Sequence, residues 1–101
     1  MRFLVKVNIP VEAGNRAVKA GTLGTAIQAI LADVQPEAVY FVDDNGQRTA
    51  LLFLDMQDAS QIPAMVEPWL LAFKARMEVP PVLVPADRMK AGSACKAAVK
   101  K

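Results

Sequence analysis

The first strand-like segment of the chain alternates between apolar and polar side chains. In "RFLVKVNI", every second residue from Phe3 to Ile9 is apolar and would lie on one face of a strand. The other face is mixed, since it carries Lys6 and Asn8. This pattern predicts a strand with one core face and one mixed face, and Pro10 ends it because proline has no backbone donor.

A later segment, "QRTALLFLDM", is rich in apolar residues but does not alternate. Ala50, Leu52 and Leu54 would lie on one face of a strand, whereas Leu51 and Phe53 would lie on the other. Both faces are therefore apolar. A chain of 101 residues has room for one small sheet, so something must cover the second face of this strand.

The remaining segments complete an alternating order of strands and helices. "VEAGNRAVKAGTLGTAIQAILADV" predicts a helix interrupted around residues 21–24 by two glycines. "EAVYFVDDNGQRTALLFLDM" predicts a hairpin, because an Asn-Gly pair accepts the positive φ angles of tight turns. A second helix begins at "DASQ", where Asp58 and Gln61 fit a capping box, and continues through a kink at Pro68. A last strand carries Arg76 and Glu78 on one face.

The order strand, helix, strand, strand, helix, strand predicts an α+β fold of the ferredoxin-like βαββαβ type. Right-handed crossovers would place the first and third strands at the centre of a four-stranded antiparallel sheet, with two helices on one face. The chain's own helices would then leave the other face of the third strand open. We expect a homodimer with the two sheets face to face, and assign Ala50, Leu52 and Leu54 to its interface.

Composition fits one small domain with a basic extension. The chain is 53% hydrophobic, and residues 1–86 are expected to form the domain, with residues 87–101 as a C-terminal tail. From Pro85 onward five basic residues oppose one acidic residue, a net charge of +4, whereas the body carries −2. We expect a short docked helix from about Ser93. The lack of a membrane-length apolar run and the single Cys95 favour a soluble, cytoplasmic protein.

Residues 1–86 also resemble a known superfamily. The segments "RFLVKV", "PEAVYFVDDNGQRTALLFLDM" and "IPAMVEPWLLAF", in this order, are similar to small, mostly uncharacterised bacterial proteins of the dimeric α/β-barrel superfamily. That superfamily contains muconolactone isomerases and small antibiotic-biosynthesis monooxygenases. The resemblance implies a fold and a homodimer. It implies no particular reaction, although many members of the superfamily act without a cofactor.

Candidate site residues are few. The chain has no histidine and one cysteine, which argues against a metal or haem site, and no phosphate-binding loop is present, so we expect no cofactor and no metal. The polar groups expected opposite the helices are Lys6, Arg76 and Glu78, with Tyr40 if its strand has the matching register. They could line a small-molecule cleft or form ion pairs at the rim of a dimer interface.

Three functions remain open from the sequence. The first is binding of a small anionic or phenolic molecule, including a cofactor-independent isomerase or oxygenase. The second is a non-enzymatic structural or regulatory dimer. The third, more remote, is KH-like nucleic-acid binding through the "GTLG" segment, which the acidic body disfavours because nucleic-acid contact faces are basic.

Overall fold

The computed structural model describes residues 1–99 and contains four strands and five α-helices. In chain order these are β1 (Arg2–Ile9), α1 (Val11–Ala20), α2 (Leu23–Val34), β2 (Ala38–Asp44), β3 (Gln47–Asp55), α3 (Ile62–Phe73), β4 (Arg76–Glu78), α4 (Pro85–Lys90) and α5 (Gly92–Val99). A 3-10 turn, Ala59–Gln61, leads into α3. The predicted α+β class is confirmed.

The strands form one antiparallel sheet in the order β2-β3-β1-β4, so β1 and β3 lie at its centre. This order is consistent with a ferredoxin-like arrangement. The register pairs Val5 with Leu52 and Val7 with Ala50, and it pairs Lys6 with Leu51. Since alternate residues of a strand face opposite sides, this register decides which side chains share a face of the sheet.

The hairpin between β2 and β3 turns at the predicted Asn-Gly pair. Asn45 has φ 53° and Gly46 has φ 78°, the left-handed angles that a tight hairpin turn of this kind requires. The seven residues of β2 all pair with β3, from Ala38 opposite Phe53 to Asp44 opposite Gln47. The turn therefore sets the register of the whole edge strand.

The helices begin and end where the sequence indicates. Gly21 ends α1 in the left-handed conformation with φ 73°, so the predicted interruption separates two helices, α1 and α2. Before α3, the Asp58 side chain accepts a hydrogen bond from the Ser60 amide at 3.0 Å, and Gln61 Oε1 accepts one from the Asp58 amide at 3.2 Å. The capping box is thus confirmed, and α3 continues through Pro68 as one helix.

The hydrophobic core lies between the central strands and the helices. Its largest fully buried side chains are Trp69, Leu52, Val5 and Val7. Ile30 of α2 and Phe73 of α3 belong to the same buried cluster. The core residues of β1 and β3 are cross-strand neighbours, so the helices and one face of the sheet form a single core.

The C-terminal part of the described chain lies at the periphery. The molecule measures 57 Å along its longest axis, and its radius of gyration of 16.8 Å exceeds the ~13 Å of a compact 100-residue domain. The predicted tail helix corresponds to α5, and its residues 93–99 are exposed, whereas the predicted domain boundary after residue 86 falls inside α4. Across residues 1–99, no helix combines the length and the apolar character needed to cross a bilayer.

Candidate functional site

The face of the sheet turned away from the core carries the predicted site residues. We call it the open face; its residues follow from the strand register and are Arg2, Leu4, Lys6, Asn8, Ala38, Tyr40, Val42, Asp44, Gln47, Thr49, Leu51, Phe53, Asp55, Arg76 and Glu78. Tyr40 pairs with Leu51, Leu51 with Lys6, and Lys6 with Glu78, which forms one row across all four strands. The structure therefore brings Tyr40, Lys6 and Glu78 onto one row, with Leu51 between the first two.

Arg76 lies in the neighbouring row. That row runs through Val42, Thr49, Asn8 and Arg76, so Arg76 and Glu78 both occupy the β4 edge of the open face. Both side chains are exposed, and within residues 1–99 neither forms an ion pair. Neighbouring strands are about 4.8 Å apart, which places Tyr40 and Lys6 about 10 Å apart at the backbone.

A polar cluster lies on the open face toward the β2–β3 hairpin. Lys6 Nζ lies 2.9 Å from Asp44 Oδ2, and Asn8 Nδ2 donates to the same oxygen at 3.1 Å and to Thr49 Oγ1 at 2.8 Å. Asn8 is only 5% exposed and Thr49 only 2%. Two polar side chains are thus almost fully buried on the face that the core does not use, and their hydrogen bonds to each other compensate that burial.

The cluster shifts the pKa of two of its members. The hydrogen bond to Asp44 raises the pKa of Lys6 above 10.5, while burial lowers it and nearby Glu78 raises it further. The hydrogen bonds from Lys6 and Asn8 hold the pKa of Asp44 below its ordinary 3.8. Lys6 and Asp44 therefore both stay charged across the neutral range. Lys6 is not positioned as a general base, because a base must be deprotonated at the working pH.

The part of the open face around Tyr40 and Phe53 is apolar. Tyr40 and Phe53 meet edge to face with ring centroids 6.3 Å apart, a favourable aromatic geometry. Tyr40 is nevertheless 58% exposed and Val42 is 43% exposed. Leu4, Leu51 and Phe53 are half-buried. The open face thus combines an apolar half with an ordered polar half.

The residues assigned to the dimer interface lie elsewhere. Ala50, Leu52 and Leu54 face the helices and belong to the core of the chain, and Leu52 is 0% exposed. A side chain buried within its own chain has no surface left to offer a partner. An interface on the open face would instead use Leu51 and Phe53, the residues of β3 that point the other way.

The structure also has a cavity between the sheet and the helices, and the predicted site residues do not line it. A groove of about 580 Å³ lies between α1, α2 and the β2–β3 hairpin, and its lining includes Ile27, Phe41 and Arg48. Lys6, Tyr40 and Arg76 all lie on the opposite side of the sheet. The sequence predicts one cleft, whereas the structure has two separate surfaces, the open face and this groove.

The sequence reasoning missed Asp44, which is the partner of both Lys6 and Asn8. The sequence pattern places Asp44 directly before the Asn-Gly pair of the hairpin and predicts no role for its side chain. The signal that could have found it is the alternation of β2, which puts Asp44 on the same face as Tyr40, four residues earlier. Among residues 1–99, no three His, Cys, Asp or Glu side chains come together in an arrangement that could hold a metal ion.

Comparisons with known proteins add no family assignment. No protein-family model matches the chain. A search of curated proteins gives no significant match either. The functional interpretation therefore depends on the geometry of the open face and the groove.

Proposed function

We propose that the chain acts as a homodimer in which two open faces meet, in the manner of a ferredoxin-like dimeric α/β barrel, and that this dimer binds a small anionic or phenolic molecule. One observation carries the proposal. The sheet face that the core leaves free has an apolar half, with Tyr40 58% exposed, directly beside a buried polar cluster. Closed twofold symmetry is the commonest assembly of soluble chains, and sheets pack face to face about 10 Å apart.

The apolar half is the part that self-association would bury. Tyr40 and Val42 remain largely exposed although Leu51 and Phe53 beside them are half-buried. A second open face would remove these side chains from water, which stabilises association by about 25 cal/mol for each Å² of apolar area buried. The open face supplies the same surface to both subunits, as twofold symmetry requires.

The polar half is the part that a ligand would use. Arg76 has no ion-pair partner within the described chain, and it lies one row from Lys6 at the β4 edge. An arginine can bind a carboxylate through two parallel hydrogen bonds. In this proposal Arg76 is the main partner of the anion, and Lys6 contributes charge while it remains paired with Asp44. A cofactor-independent isomerase or oxygenase is the enzymatic form of the proposal.

A purely structural or regulatory dimer is the second candidate function. The observation that favours it is the Lys6–Asp44 ion pair of 2.9 Å, which already neutralises the ammonium group. Because the ammonium and carboxylate groups already neutralise each other, this ion pair does not require a ligand. The two candidates share the interface and differ only in whether anything binds beside it.

Sedimentation velocity of the wild type and of variants tests the dimer. At micromolar concentration the wild type should sediment at twice the 10.9 kDa chain mass. Leu51→Asp and Tyr40→Asp should give folded monomers, because an unpaired carboxylate would be buried between the sheets. Leu71→Asp is the matched control, since Leu71 of α3 is 81% exposed and lies outside the open face. A wild type that remains a 10.9 kDa monomer would contradict the proposal.

A thermal-shift screen with aromatic acids, phenols and lactones tests the ligand. A ligand at 100 times its dissociation constant should stabilise the native state by roughly 2.7 kcal/mol. Arg76→Met should reduce the shift given by an acid, whereas Arg88→Met, on exposed α4, should leave it unchanged. Flat melting curves for the wild-type dimer with every compound would leave the structural dimer as the supported function.

A further inference from the structure

The groove between α1, α2 and the hairpin has the features of a separate ligand site. Its volume of about 580 Å³ falls within the roughly 300 to 1,000 Å³ typical of small-molecule pockets. Its walls are mainly apolar, formed by Ile9, Leu23, Ile27, Phe41 and Ala50. Phe41 is 59% exposed, so a large aromatic surface remains available beside the cavity.

A single arginine is held at this groove by two features of α1. Arg48 Nη1 donates to Asn15 Oδ1 at 3.1 Å. The same guanidinium lies against buried Gly14, where a Cβ atom would come within 2.6 Å of Nη1. Gly14 therefore makes room for the guanidinium, and Asn15 orients it. A cation positioned in this way loses little additional freedom when it binds a ligand.

The charge of Arg48 is not neutralised by an ion pair within residues 1–99. Its nearest acidic neighbour along the sheet is Asp43, which is its cross-strand partner and also lines the groove. Arg48 nevertheless donates to the neutral amide of Asn15. Several N–H donors of the guanidinium therefore remain for an anion, with Asp43 as a competitor.

We propose that this groove binds an apolar monocarboxylate, with its carboxylate on Arg48 and its hydrocarbon body against Ile27 and Phe41. One guanidinium neutralises one carboxylate and can bind both of its oxygens through two parallel hydrogen bonds. The apolar walls match a body without further charges. A ligand with several charges would leave all but one unpaired in these surroundings, which is costly. The site lies across the sheet from the open face and does not depend on the dimer.

Titration of the ¹⁵N-labelled protein with octanoate, followed by NMR, tests the site. Octanoate should shift the amide signals of Gly14, Gly46 and Arg48, and octanol should bind at least about tenfold more weakly because it lacks the charge-assisted hydrogen bond. Arg48→Gln should reduce octanoate affinity to the level of octanol. Arg16→Gln is the matched control, since Arg16 is an exposed arginine of α1 that does not line the groove.

Two further variants separate binding from folding. Gly14→Ala should displace the guanidinium and weaken octanoate binding severalfold while the protein stays folded, because alanine favours a helix more than glycine does. Asp43→Asn should strengthen binding, because it removes the competitor for Arg48. The proposal would be overturned by equal binding of octanol and octanoate, by wild-type affinity in Arg48→Gln, or by weaker binding in Asp43→Asn.

The location of the shifts separates this inference from the proposed dimer. If octanoate shifted the amide signals of Tyr40 and Lys6 instead, the carboxylate would lie on the open face, which would contradict the groove site. The monomeric variant Leu51→Asp should still bind octanoate with unchanged affinity. Loss of octanoate binding in that variant, with folding intact, would show that the groove is not the site.

Discussion

Leu51 and Leu52 are neighbours in β3, and replacing each with alanine should have opposite consequences for folding and assembly. Leu52 is 0% exposed and is the cross-strand partner of Val5 in the core. Leu51 is half-buried on the open face, between Tyr40 and Lys6. Leu52→Ala should therefore destabilise the fold of the chain itself, whereas Leu51→Ala should mainly weaken the proposed dimer.

The loss of stability expected for Leu52→Ala follows from the complete burial of the leucine side chain. The substitution removes buried carbon groups worth about 0.8 kcal/mol each, and it leaves a cavity that the surrounding core only partly refills. Leucine-to-alanine substitutions in cores cost roughly 2 to 5 kcal/mol, and we expect about 3 kcal/mol here. For a domain of this size, that loss corresponds to a fall of about 12 to 24 °C in Tm. Leu51→Ala should cost the isolated chain less than about 1 kcal/mol, because its side chain is already partly in water.

Urea unfolding at several protein concentrations separates the two effects. The loss in Leu52→Ala should be the same at every concentration, because the residue acts within one chain. The wild-type midpoint should rise with concentration if unfolding is coupled to dissociation, and Leu51→Ala should reduce that dependence. A cost below about 1 kcal/mol for Leu52→Ala would refute the assignment of this residue to the core.

Three other predictions follow from individual contacts. Asp44→Asn should make the free energy of unfolding less dependent on pH under acid conditions, as measured by urea unfolding. The hydrogen bond from Lys6 holds the native pKa of Asp44 below 3.8, so the ionised carboxylate stabilises the native state above pH 3.8. This stabilisation is lost as the pH falls through the lower native pKa. Asp58→Ala should cost about 1 kcal/mol by the same assay, because the Ser60 amide loses its capping acceptor. Deleting residues 91–101 should leave the body folded and its state of association, measured by sedimentation, unchanged, with at most a small fall in Tm, since residues 93–99 are exposed.

The local elements could be predicted because each has a local physical cause. The Asn45–Gly46 turn, the end of α1 at Gly21 and the capping box at Asp58 depend on backbone angles or hydrogen bonds between residues close in sequence. The alternation of β1 predicted that Lys6 and Asn8 share a face, and the register shows that they do. These features need no knowledge of the rest of the fold.

The assignment of faces in β3 could not be predicted in the same way. Both faces of this strand are apolar, so alternation alone cannot decide whether Leu51 or Leu52 faces the core. The decision comes from pairing with β1, which sets Leu52 beside Val5 and Leu51 beside Lys6. The sequence alone does not give this pairing, which is a long-range property, and the residues it assigned to an interface, Ala50, Leu52 and Leu54, lie in the core of the chain. Asp44 was missed for a related reason: its partners Lys6 and Asn8 lie two strands away.

The edge strand β2 explains why one small sheet offers two candidate surfaces. Tyr40 and Phe41 are adjacent and both largely exposed, yet alternation places Tyr40 on the open face and Phe41 in the groove. An apolar edge strand exposed on both faces favours aggregation unless something covers it. In the proposed dimer the partner subunit covers the open face but not the groove, which lies on the other side of the sheet beside α1 and α2. A small ligand is the simplest occupant of the groove, and for this reason the dimer and the Arg48 site are complementary proposals.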